Sequence, residues 1–117
     1  MRLTPDDFFR ALADPTRLRC LLLLAPEEEL CVCELQHALD EIQPKISRHL
    51  AMLREVGIVL DRREGQWIHY RINPALPTWA RQILAISARA NAALEPYARD
   101  RKRLVVMPNR PSARCCA

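Results

Sequence analysis

Glycine is nearly missing from this sequence: its 117 residues include only Gly57 and Gly65. A loop that cradles phosphates with backbone N–H groups needs several glycines close together, so nucleotide binding of that type is excluded. Also missing is any apolar run near the roughly 20 residues that span a bilayer. The longest apolar stretch, residues 21–25, belongs to an amphipathic pattern. The opening Met1-Arg2-Leu3-Thr4-Pro5 carries no apolar signal segment, which points to a cytoplasmic location. Neither a long-period repeat nor a low-complexity tract is visible. Half of the residues are hydrophobic, enough for a core in a chain of one domain's length. The formal net charge of +4 permits a nucleic-acid partner without requiring one.

Helical signals fill the first half. Thr4-Pro5-Asp6-Asp7 combines a capping hydroxyl, a first-turn proline and two acids, and Asp14-Pro15 repeats the signal. Phe8, Phe9, Leu12 and Ala13 mark one helix, and Leu18, Leu21, Leu22 and Ala25 a second. Leu35, Ala38 and Leu39 mark a third. A fourth opens at Gln43-Pro44, carries Ile46, Leu50 and Leu53, and stops at Gly57. The period then falls to two. Residues 59–63 and 66–72 flank Glu64-Gly65 as a β-hairpin, with Ile68, Tyr70 and Ile72 on one face and Trp67, His69 and Arg71 on the other. A long helix is expected over residues 78–98. The fold class is therefore mainly α with a small β-hairpin, a winged helix-turn-helix. Residues 1–98 are expected to form one winged helix-turn-helix domain, and 99–117 a flexible basic tail.

The helix over residues 44–56 places Lys45, Arg48 and Met52 opposite its apolar stripe, with Ser47 and His49 at its flanks. Gln43, Lys45, Ser47, Arg48 and His49 thus gather in its first turns, the part that enters a major groove. Alone, such a set is an ordinary solvated face. The hairpin tip supplies the second half of the argument, because Arg62 and Arg63 suit a wing that touches phosphates.

The segments Glu29-Leu30-Cys31-Val32-Cys33-Glu34-Leu35 and Gln43-Pro44-Lys45-Ile46-Ser47-Arg48-His49-Leu50 resemble the ArsR/SmtB arsenic-responsive repressors. Arg54-Glu55-Val56-Gly57 and Gly65-Gln66-Trp67-Ile68-His69-Tyr70-Arg71 extend the likeness. The resemblance implies a homodimeric repressor, joined through its first and last helices, that binds operator DNA. It implies release by trivalent arsenic or antimony, arsenite or antimonite being the inducer and no other cofactor being required. One position departs from the pattern: where members of this type often carry a third cysteine, this chain has Gln36.

The five cysteines are an odd number, and a reducing cytosol disfavours a disulfide framework. Cys20, beside a leucine run, reads as core filler. Cys31 and Cys33 are the candidate metalloid thiols, since a helix start favours thiolate and soft ions favour sulfur. Cys115 and Cys116 are candidates for the third donor, from the same chain or a dimer mate, unless a small thiol or hydroxide serves. Two side chains two residues apart on a helix point to nearly opposite sides. Joint binding by Cys31 and Cys33 therefore predicts an extended or unwound segment around Val32. Removal of everything after Met107 is expected to leave folding and repression intact.

Other readings are weaker. Cys31, Cys33 and His37 suggest a zinc or cadmium site, and either cysteine pair suggests a thiol redox switch. Residues 78–98 contain no histidine and a single acid, Glu95, which argues against a zinc site on the last helix. Cys33 with His37 lacks the orienting group and oxyanion turn of an enzyme, so no catalytic activity is expected.

Overall fold

A computed structural model describes residues 3–111. Helix α1 (Pro5–Leu12) begins where Thr4 Oγ1 accepts the Asp7 N–H at 3.2 Å. Helix α2 (Pro15–Leu24) is capped by Asp14, whose carboxylate accepts the Thr16 and Arg17 N–H groups at 2.9 and 3.0 Å. Both caps satisfy amide groups that the first turn leaves without helical partners. A short strand, β1 (Leu30–Cys31), leads into α3 (Val32–Leu39), and α4 (Gln43–Val56) follows. Gly57 ends α4 at φ 92°, a left-handed stop that a side chain would strain.

Strands β2 (Val59–Glu64) and β3 (Trp67–Ile72) form the expected hairpin. The sheet nevertheless has three strands, because β1 pairs antiparallel with the other edge of β3, Leu30 opposite Tyr70 and Cys31 opposite His69. The core is shared by α1–α4 and the sheet. Phe8, Leu21, Leu24, Leu35, Ile46, Leu50, Leu53 and Ile58 are all fully buried in it. Cys20 belongs to this core, where burial pushes its thiol up to about 12.

The last third differs from expectation. Instead of one helix over 78–98, α5 (Thr78–Ala90) stops at Asn91, and α6 (Tyr97–Val105) folds back onto α2 and α3. The loose tail expected from residue 99 is thus corrected for the described residues up to Pro111. Leu104 is fully buried, and Asp100 lies buried against Arg19, with donor–acceptor distances of 2.7 and 2.9 Å. Arginines hold the rest of the segment by donating to main-chain carbonyls, Arg101 to Leu23 and Arg103 to His37. No helix among the described residues is long and apolar enough to cross a membrane.

Candidate DNA-reading face and thiol pair

In α4, Ile46, Leu50 and Leu53 face the core. Their burial turns Gln43, Lys45, Ser47 and Arg48 outward. Gln43 donates to Ser47 Oγ at 2.7 Å, and Lys45 sits 3.1 Å from Glu41. Arg48 is exposed and makes no ion pair among the described residues. His49 is misplaced by the sequence reading. It is buried, 3.8 Å from Asp14 and 3.5 Å from an Arg17 nitrogen, so it joins α4 to the cap of α2 and does not face a groove. Burial lowers its pKa, against the opposing pull of Asp14. Asp14 is held below the usual carboxylate range; partial burial opposes this, but the amide of Arg17 and the charge of His49 outweigh it.

The two wing arginines also part company. Arg63 is exposed without an ion pair among the described residues. Arg62 is gripped by Glu29 at 2.6 and 2.8 Å and by Glu64 at 2.9 Å. These bonds push its pKa up and hold Glu29 well below the ordinary value. His69 projects from the same face of the sheet as Arg62, its cross-strand partner. It is 2% exposed, and its Nδ1 has no hydrogen-bond partner among the described residues.

Cys31 and Cys33 lie at the junction of β1 and α3. Cys31 is the N-cap of α3, with φ −77° and ψ 153°, so it stands in extended backbone. That single residue removes the expected conflict, because the two side chains do not both belong to helical turns. Cys33 Sγ lies 3.1 Å from Cys31 Sγ with the helix intact, and the unwinding expected around Val32 is not needed to bring the sulfurs together. Bonds of about 2.3 Å to one atom, typical of a metal thiolate, would subtend roughly 85° at that separation. Cys33 is half-buried, and its thiol is pushed up to about 12 by burial, the Cys31 thiol and Glu34. The expectation of a thiolate favoured by the helix start is corrected at Cys33.

Sequence reasoning overlooked what surrounds the pair. Glu34 is fully buried; Oε1 accepts the Cys31 N–H at 2.7 Å and Oε2 accepts Arg110 Nε at 2.7 Å. The spacing of Cys31 to Glu34 is that of a capping box, the one local signal that pointed to this glutamate. Among the described residues no group of three or more His, Cys, Asp or Glu side chains is arranged to hold a metal ion, and His37 does not join the cysteines. Cys115 and Cys116 lie outside the described residues.

Comparison with known proteins matches this arrangement. Residues 14–60 fit the profile of bacterial regulatory proteins of the arsR family. The arsenic resistance transcriptional regulator ArsR2 of Pseudomonas putida is 50% identical over 116 residues, which is 97% of this chain and 99% of that protein. Among solved structures, HlyU of Vibrio cholerae superposes with a TM-score of 0.65 at 32% identity, covering 73% of this chain and 88% of that one. The homodimeric winged helix-turn-helix DNA-binding domain of Mb0332 from Mycobacterium bovis gives a TM-score of 0.61 at 31% identity, covering 77% and 81%. With its buried α4 stripe, its β2–β3 wing and these relatives, the chain is a winged helix-turn-helix protein of the arsR family of bacterial regulatory proteins.

Proposed function

We propose that this protein is a cytoplasmic repressor that binds operator DNA as a homodimer and leaves it when Cys31 and Cys33 bind trivalent arsenic or antimony. The observation that carries the reading is the 3.1 Å approach of two sulfurs at the start of α3. Helix α3 leads directly into α4, so an ion at Cys31 and Cys33 acts within the DNA-reading unit itself. Trivalent arsenic and antimony are soft and favour sulfur. Arsenous acid suits thiols that still carry their protons. Each S–H exchanges with an As–OH, forming S–As and releasing water, and arsenic stays trivalent. The arsenic regulator at 50% identity supports the inducer, and the homodimeric neighbour supports the assembly. Exposed apolar side chains on α1 and α5, Phe9, Trp79 and Ile86, offer a surface for a second copy.

The test is release from a promoter fragment by arsenite, antimonite, cadmium, zinc and peroxide in turn. Arsenite and antimonite are expected to free the DNA, while Cys31→Ser and Cys33→Ser bind it normally but no longer respond. Release by peroxide alone, or normal arsenite release of either variant, would overturn the reading.

A further inference from the structure

Two carboxylates flank the segment that carries the thiol pair. Glu27 precedes Cys31 by four residues, and Glu34 directly follows Cys33. One guanidinium reaches both: Arg110 lies 2.7 Å from Glu34 and 3.5 Å from Glu27. Glu27 is also paired with Arg101 of α6 at 2.8 Å. Glu34 is fully buried, and each of its oxygens has one partner, the Cys31 amide at 2.7 Å and Arg110 Nε at 2.7 Å. A carboxylate keeps such a place only while its charge and lone pairs are answered. The amide bond in turn holds Cys31 in its extended N-cap conformation, since an N-cap whose N–H has no partner is free to turn. That conformation brings Cys31 Sγ to 3.1 Å from Cys33 Sγ with α3 intact. The path from Arg110 to the sulfurs therefore runs through one carboxylate and one amide.

We propose that Arg110 is a positioning residue of the metalloid site: by fastening Glu27 and Glu34 on either side of the Cys31–Cys33 segment, it holds the two sulfurs at a spacing that a single arsenic atom bridges. The proposal rests on the function given above. Phenylarsine oxide, hydrated in water, carries two As–OH groups and one carbon. Each As–OH exchanges with one S–H, two S–As bonds form, two waters leave, and arsenic stays trivalent. Both bonds end on one atom, so the second is favoured in proportion to how well the sulfurs are already placed. Diphenylarsinous acid carries one As–OH and bonds a single sulfur, for which the spacing is irrelevant. Arg110 and Glu34 act through the Cys31 backbone and contribute no bond to arsenic.

The ratio of the two affinities reads the placement of the sulfurs separately from folding and access. Both are measured by calorimetry on the full-length chain carrying Cys115→Ser/Cys116→Ser, which confines the signal to Cys31, Cys33 and the core thiol Cys20. Arg110→Gln is expected to lose about 10-fold in phenylarsine oxide affinity, the lower end of the loss when an outer partner of a ligand is removed, with diphenylarsinous acid bound as before. Adding Glu34→Gln to Arg110→Gln is expected to restore most of that affinity, because a neutral side-chain amide still accepts the Cys31 N–H and no longer needs a cation. Unaltered phenylarsine oxide binding by Arg110→Gln overturns the proposal. So does an equal loss for both arsenicals, which would make Arg110 a contributor to the fold alone. Failure of Glu34→Gln to restore binding overturns the route through Glu34. If Cys31→Ser/Cys33→Ser binds phenylarsine oxide like the parent protein, the metalloid function itself is refuted.

Discussion

At the scale of single residues, protons and ion pairs decide what the site accepts. The Cys33 thiol, pushed up to about 12, is protonated through the neutral range. A divalent cation must expel that proton on binding, so cadmium affinity is expected to rise about tenfold per pH unit for each proton released. Arsenous acid carries the proton away as water, so arsenite affinity is expected to stay flat between about pH 6 and 8. Parallel titrations with both ligands across that range check the sign, and equal slopes would contradict it. The arginines sort in the same manner. Arg48 and Arg63 have no carboxylate partner among the described residues, whereas Arg62 has two. Loss of a phosphate contact lowers the salt slope by about one per chain, hence about two for a dimer. Arg63→Ala is expected to do so and to weaken all DNA sequences alike. Arg62→Ala is expected to change the slope less, because its charge is already shared with Glu29 and Glu64. Affinities measured between about 50 and 200 mM salt distinguish the two.

At the scale of elements, α6 accounts for most of what the sequence concealed. The capping signals at Thr4, Asp14 and Gly57, the α4 stripe and the hairpin were all legible, because each is written within a few neighbouring residues. Residues 97–105 read YARDRKRLV, and only Asp100 and Leu104 are buried. Their docking depends on arginines donating to partners 66 to 81 residues away, which no local pattern encodes. Strand β1 is hidden for a similar reason, having two residues and a partner far along the chain. His49 was misjudged because helical angle alone places it at the edge of the stripe, whereas Asp14 and Arg17 draw it inward. The expected tolerance of truncation after Met107 therefore reverses. Removing Arg110 leaves the fully buried Glu34 without its cation, at a cost of about 2–3 kcal/mol. Truncation at that point is expected to lower the melting temperature by at least about 5 °C, and Glu34→Gln is expected to soften the loss. A truncated protein melting with the full chain would show that the pair contributes nothing to folding.

At the scale of the whole molecule, the unresolved balance is apolar. Ile86 is 54% exposed and Phe9 51%, and Trp79 stacks edge-on to the buried Phe8 with centroids 5.2 Å apart. Large apolar side chains grouped on two neighbouring helices are covered most readily by a second copy. Ile86→Glu is expected to give a folded monomer by light scattering and to weaken operator binding sharply, because one chain engages only one half-site. A dimeric Ile86→Glu protein would place the interface elsewhere. Trp79→Ala is the less clean probe, since it also removes packing from Phe8.

Strand β3 has two edges: one carries the wing, the other carries Cys31. The candidate thiol Cys31 and the wing are therefore neighbours in one hydrogen-bonded sheet. The shortness of β1 makes its pairing easy to open. The Cys31 amide is already turned to Glu34, so the strand is held by only about two ladder bonds, worth about 2 kcal/mol together. Freeing them changes an equilibrium by a factor of about 30, and in both chains of a dimer by about 10³. With two register pairs against the six of the hairpin, this fastening is the part of the sheet expected to open first.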